Sequence, residues 1–147
     1  MTNSVSAKFS LWCNRLLAVV MALLCVFLYD LLVWYMGIRQ LSCQVGMVIL
    51  GGFYLCVPMV LYALLCIEKL LKNILQDDVF ILPNVRCIRR IRWCCAGVSL
   101  VCLGVGFIYQ PLLFLAVIMA FLALMVSVVK NVMAAAVEIR EENDLTI

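Results

Sequence analysis

The sequence contains no histidine and few charged residues, and both shortages limit what the chain can be. Histidine is absent from all 147 positions, which removes the commonest general acid–base catalyst and the commonest protein ligand of transition metals. Charged residues make up 13% of the chain and apolar residues 68%, against about 25% and roughly 45–50% in soluble domains. With a mean hydropathy of +1.20, the composition predicts a single integral membrane domain over residues 1–147.

Motifs for catalysis and metal binding are missing as well. The sequence has no Gly-rich phosphate loop, HExxH or dinucleotide fingerprint. Its nine cysteines fall in or beside apolar runs without a CxxC pair, so we expect small apolar side chains within helices, not disulfides or metal ligands. We therefore predict no catalytic residue, no cofactor and no metal, and a protein that is not an enzyme. The arginines are few, are held at the membrane and have no aromatic residues interleaved among them, so we predict no direct binding of nucleic acid.

Four long apolar runs set the predicted topology. At about 1.5 Å per residue, each run crosses or nearly crosses a hydrocarbon core of roughly 30 Å. The pattern predicts an all-α integral membrane four-helix bundle made of two transmembrane hairpins. The predicted spans are residues 16–35, 46–67, 93–109 and 112–129.

Basic residues concentrate on one side of these spans. The N-terminal segment, the loop 68–92 and the tail 130–147 together carry ten of the eleven lysines and arginines, and the opposite side carries only Arg39. Cytoplasmic loops of membrane proteins are enriched in lysine and arginine. The bias therefore places both termini and the loop 68–92 in the cytoplasm.

The loop 68–92 is the only long polar interruption of the chain. Apolar residues at helical spacing from Ile67 to Leu75 predict that the second helix continues past the membrane with one apolar face. Pro83 and Asn84 predict a new helix start, with Asn84 as the N-cap. In the helix that starts at Asn84, the apolar residues Val85, Ile88 and Ile91 share one face, and Arg86, Arg89 and Arg90 occupy another. The loop is therefore predicted to form an amphipathic elbow at the membrane surface.

The elbow and the C-terminal tail carry opposite charges, net +3 for residues 68–92 and net −3 for residues 138–147 before the terminal carboxylate. We expect the tail to be helical to about Glu142, to be ended by Asn143 and Asp144, and to touch the elbow. This face is a candidate docking surface for a cytoplasmic partner; alternatively, its arginines only fix topology and bind anionic lipid headgroups. The candidate docking residues are Arg86, Arg89, Arg90, Arg92, Glu141, Glu142, Asn143, Asp144, Leu145, Thr146 and Ile147.

Two residues inside the spans favour a different function. Asp30 is the one carboxylate within a predicted span, where a charge at the bilayer centre costs at least about 2.5 kcal/mol. Its position near the outer end also fits an interfacial aspartate among aromatic residues. Pro58 kinks the second span, which is tolerable only where neighbouring helices cover the freed carbonyl. The alternative functions are a small transporter or channel subunit using Asp30 and the Pro58 kink, or a structural homo-oligomer packed through small residues.

Two polar segments carry a resemblance to a known family. The segment LLKNILQDDVFILPNVRCIRRI, followed by two closely spaced spans and the ending AAVEIREENDLTI, resembles the bacterial membrane-protein family called domain of unknown function twenty-nine seventy-five. The most specific matches are residues 73–80 with Asn84 and Arg89, and residues 141–147. The resemblance implies a four-helix protein of the bacterial plasma membrane, often encoded beside a small Cro-like helix-turn-helix regulator, for which it would bind or sense. It implies no catalytic or ligand-binding residue.

Overall fold

A computed structural model of the chain describes the backbone of residues 2–40, 42–76 and 81–145, and the side chains of residues 8–40, 42–76 and 81–143. This part of the chain is all-α and contains four helices, as predicted. They are α1 (Thr2–Arg39), α2 (Cys43–Leu75), α3 (Leu82–Gly106) and α4 (Pro111–Leu145). Three of them are long and apolar enough to cross a membrane, in the ranges Lys8–Arg39, Cys43–Leu75 and Pro111–Asn143.

Helix α3 differs from the other three because its apolar part is shorter. After Arg92, only the 14 residues from Trp93 to Gly106 remain helical, and at about 1.5 Å each they reach roughly 21 Å, less than a hydrocarbon core of roughly 30 Å. The helix ends at Gly106 and not at Tyr109, because residues 107–110 form the turn into α4. A membrane crossing by α3 therefore stays a prediction.

The helices extend beyond the apolar runs that predicted them. Helix α2 continues without a break from the predicted boundary at Ile67 to Leu75, which confirms the predicted extension of the second helix. Helix α4 continues to Leu145, so the prediction that Asn143 and Asp144 end it is wrong. Each of these residues costs only about 0.7 kcal/mol relative to alanine inside a helix, which is too little to stop a helix without a competing turn.

Each helix packs against the next one along the chain. Four glycines lie where the helices come closest, since a Cβ atom at any of them would collide with a neighbouring side chain. The contacts are Gly46 with Met36, Gly52 with Val105, Gly97 with Met59, and Gly106 with Leu113. The order of packing is thus the order of the chain, and α3 lies between α2 and α4.

The core consists of two small clusters, and the remaining helix surface is largely apolar. One cluster contains Cys66, Cys87 and Ile91, and the other contains Val98, Cys102 and Ala116. All nine cysteines are free thiols, and those in the clusters act as small apolar side chains. Large apolar side chains are exposed along all four helices, far more than water-soluble monomers tolerate. A lipid environment removes the cost of this exposure.

Candidate functional site

Most polar contacts of the described chain lie at one end of the molecule. The start of α1, the end of α2, the start of α3 and the end of α4 meet there. We call this the basic end, because ten of the eleven lysines and arginines lie in the segments that form it. At least one side-chain hydrogen bond crosses each pair of neighbouring helices here, and these contacts position the charged residues.

Helices α1 and α2 are joined by a buried amide and an exposed group of charges. The Asn14 side chain, only 8% exposed, donates a hydrogen bond from Nδ2 to the Leu64 carbonyl oxygen at 3.1 Å. One turn further along α2, Glu68 Oε1 accepts a hydrogen bond from Arg15 at 3.2 Å and lies 3.0 Å from the Lys72 ammonium. Exposed ion pairs contribute at most about 1 kcal/mol, so the satisfied amide of Asn14 is the firmer link between the two helices.

Helices α2 and α3 are joined by two asparagines. Asn73 Nδ2 donates a hydrogen bond to Asn84 Oδ1 at 2.6 Å, and the Asn84 side chain is completely buried. The predicted N-cap role of Asn84 is wrong, because α3 starts at Leu82 with Ile81 as its N-cap and Pro83 in its first turn. A buried amide needs hydrogen-bond partners, and Asn73 provides one of them.

The first turns of α3 have one buried face and one basic face. The amphipathic prediction for this helix is confirmed, because Val85, Ile88 and Ile91 are buried while the arginines between them are exposed. None of these arginines forms an ion pair with a described residue. We call Arg86, Arg89 and Arg90 the basic face.

Arg92 lies apart from the basic face, although the sequence groups it with the other three arginines. Its side chain is half-buried and turned towards α4, where one guanidinium nitrogen lies 3.5 Å from Ser127 Oγ. The guanidinium carbon lies 5.3 Å from the ring centroid of Trp93, within the range of a cation–π contact. Arg92 therefore belongs to the α3–α4 interface.

The C-terminal part of α4 carries the acidic residues that were predicted to face the elbow. Glu138, Glu141, Glu142 and Asn143 are exposed, whereas Val137 is only 4% exposed and fixes this part of the helix. Within the described ranges, no ion pair joins Glu138 or Glu141 to the basic face. The predicted contact between tail and elbow stays a prediction. The side chains of Asp144 and Leu145, and all of Thr146 and Ile147, lie outside the described residues.

Asp30 and Pro58 are both exposed, on α1 and α2, and Pro58 lies inside an unbroken helix. An apolar cavity of about 260 Å³ is lined by side chains of all four helices, including Met21, Cys56 and Leu115. Neither Asp30 nor Pro58 is among its lining residues, so the cavity gives no support to a transport path through them.

In the described ranges, no group of three or more cysteine, aspartate and glutamate side chains is placed so that it could hold a metal ion.

Sequence reasoning missed the asparagine pair, although part of it leaves a signal. Asn84 continues the buried stripe of Cys87, Ile88 and Ile91, and residues three, four and seven positions apart share one helix face. That spacing indicates that Asn84 is buried inside the helix, and it argues against an N-cap role for this residue. No comparable signal predicts the contact of Arg15 with Glu68, because 53 positions separate the two residues.

Fold and site together define a class of protein: an all-α chain with an apolar surface, three helices that could cross a membrane, and its cations gathered at one end. Residues 12–147 match the family described as "Protein of unknown function (DUF2975)", and the chain belongs to this family. None of the curated proteins and none of the solved structures compared with the chain matches it. The family description names no activity, so the function has to be argued from the site.

Proposed function

We propose that this chain is a non-enzymatic multi-pass protein of the bacterial plasma membrane, and that its basic face docks a cytoplasmic partner. The partner suggested by the family resemblance is a small helix-turn-helix transcription regulator, for which the membrane protein acts as a docking or sensing component. The observation that carries the proposal is that Arg86, Arg89 and Arg90 are exposed at one end of the molecule and form no ion pair with a described residue.

The distribution of charge supports a cytoplasmic location for the basic end. The opposite end carries Arg39 alone among the lysines and arginines, and an excess of these residues marks the cytoplasmic side. Exposed tryptophans near the basic end, Trp12 and Trp93, have the amphipathic character of residues at the headgroup level. This orientation gives two hairpins with both termini inside, and it puts the basic face within reach of soluble proteins.

The way α3 is held supports a docking role for its arginines. Asn84, Val85 and Ile88 are buried on the inner side of the helix, so the helix that carries the arginines has a fixed position. A guanidinium presents five N–H donors in a planar fork that matches carboxylates in pairs. Three such exposed groups on a fixed helix suit a partner with an acidic surface, and rigid elements hold binding groups more precisely than loops do.

The proposal is tested by affinity purification of the full-length tagged protein from its native cell in mild detergent. The variant Arg86→Gln/Arg89→Gln/Arg90→Gln removes three charges, and Arg86→Lys/Arg89→Lys/Arg90→Lys keeps them as a matched control. We expect a small helix-turn-helix protein to co-purify with the wild type, to co-purify in smaller amount with the lysine variant, which keeps the charges but not the planar fork, and to be lost from the glutamine variant. Equal recovery with all three chains contradicts docking on the basic face. A C-terminal topology reporter checks that each variant inserts in the same orientation.

The tail is tested separately, since its last residues lie outside the described part. Truncation after Glu142 removes Asn143, Asp144, Leu145, Thr146 and Ile147. We expect the truncated chain to insert normally and to lose the partner. Unchanged retention of the partner would limit docking to the basic face and remove the tail from the proposal.

A further inference from the structure

Two half-buried cations at the basic end, Arg92 on α3 and Lys130 on α4, form no ion pair with any described residue. The Arg92 guanidinium contacts the Ser127 hydroxyl at 3.5 Å and the ring of Trp93. Lys130 is also half-buried, and it makes no hydrogen bond or ion pair with any described residue. Ser127 and Lys130 are three positions apart on α4, so their side chains are neighbours on one face, with about 5–6 Å between Cβ atoms.

No acidic residue of either helix is near enough to neutralise these cations. Helix α3 contains no aspartate or glutamate, and the first acidic residue of α4 is Glu138. Glu138 lies eight positions after Lys130, and at about 1.5 Å per residue this places Glu138 roughly 12 Å further along the helix axis. Charges that lose part of their hydration need a counter-charge, and a serine hydroxyl at 3.5 Å satisfies one of the five guanidinium donors at most. Among the described residues, no carboxylate forms an ion pair with Arg92 or Lys130.

We propose that Arg92, Lys130 and Ser127 form a phosphate site that binds the headgroup of an anionic phospholipid. The position of the site favours a lipid over a soluble phosphate. Trp93 lies directly beside Arg92 and is 66% exposed, as expected of an aromatic residue at the membrane–water interface. The apolar surface of α4 that follows on one side, which includes the exposed Leu124, is available to the acyl chains of the same lipid.

The site is distinct from the basic face, because it uses neither Arg86, Arg89 nor Arg90. It rests on the membrane orientation proposed above but not on the cytoplasmic partner. A failure to capture the regulator would therefore leave the lipid site untouched, and a failure to bind lipid would leave the docking proposal standing.

Native mass spectrometry of the full chain, titrated in detergent with phosphatidylglycerol or phosphatidylcholine, tests the site. Arg92→Gln/Lys130→Gln removes both cations, and Lys8→Gln/Lys69→Gln removes two exposed cations elsewhere at the basic end as the matched control. We expect the wild type to prefer phosphatidylglycerol. Its affinity should fall about tenfold or more in the first variant and less than about twofold in the control, because each cation close to an anionic group strengthens binding several-fold.

Four results would overturn the site. Equal binding of both lipids by the wild type would show that no anionic headgroup is recognised, and equal losses in both double variants would show a general effect of charge. Displacement of the lipid by an equal concentration of inorganic phosphate would show that the site recognises free phosphate. Arg92→Lys/Lys130→Arg, which keeps both charges, should bind like the wild type. A folded charge-keeping variant that no longer binds contradicts the proposal as well.

Discussion

The two ends of the molecule are held together by different means. At the basic end, neighbouring helices are joined by side-chain hydrogen bonds, from Asn14 to Leu64 and from Asn73 to Asn84 among others. At the opposite end, glycines such as Gly46 and Gly52 let helices approach closely, and hydroxyl groups supply the few polar contacts. A hydrogen bond determines which two side chains contact each other, whereas close packing of helices requires only that their surfaces have complementary shapes. The polar contacts therefore lie at the same end of the molecule as the arginines of the basic face, and they hold the helices there in a defined position.

The largest effect on stability is expected from the asparagine pair of the basic end. Asn73→Leu removes this hydrogen bond from the fully buried side chain of Asn84, and a buried polar group that loses a partner costs about 1–3 kcal/mol. Unfolding in mixed micelles measures the loss, and Asn131→Leu, at an exposed asparagine of α4, is the control with almost no loss expected. Asn73→Leu/Asn84→Leu should recover part of the stability, since replacing both partners by apolar groups can be nearly neutral. A double variant as unstable as the sum of both single variants would show that the pair is not coupled.

The importance of close packing at the opposite end is tested with two adjacent glycines. A Cβ atom on Gly52 would lie 2.7 Å from Val105 Cγ2, whereas a Cβ atom on Gly51 meets nothing within 4 Å. Val105 is β-branched and cannot easily turn away. Gly52→Ala should therefore lower the free energy of unfolding by about 1 kcal/mol, the low end of overpacking costs. Gly51→Ala should leave it unchanged or raise it by up to about 1 kcal/mol through helix propensity. Equal effects at both positions would contradict packing through Gly52.

The sequence predicts the helices better than it predicts the contacts between them. Apolar runs predict all four helices, and the spacing of Val85, Ile88 and Ile91 predicts the buried face of α3, because both depend on local periodicity. The predicted N-cap role of Asn84 is wrong. The residues around Asn84 are typical of a helix start, but packing against α2 buries the Asn84 side chain, and this packing depends on the fold. The separation of Arg92 from the basic face likewise depends on the neighbouring helix α4. The sequence therefore predicts the elements and their charge, but not which polar groups meet between them.

The smallest effect is expected from the two tyrosines of the opposite end. The hydroxyl groups of Tyr35 in α1 and Tyr109 in the α3–α4 turn form a hydrogen bond, which links α1 to a part of the chain beyond its neighbour α2. Tyr35→Phe removes one hydroxyl group and should lower the free energy of unfolding by about 0.5–1 kcal/mol. Tyr62→Phe, at an exposed tyrosine of α2, is the matched control and should have no effect.

A double-variant cycle with Tyr109→Phe separates this hydrogen bond from the packing of the two rings. Hydrogen bonds between membrane helices average about 0.6 kcal/mol in such cycles, and we expect a coupling of that size. A coupling near zero would mean that packing alone holds the end of α1 against the turn. A coupling as large as that of Asn73 with Asn84 would remove the contrast between the two ends, because both would then be fixed by specific polar contacts.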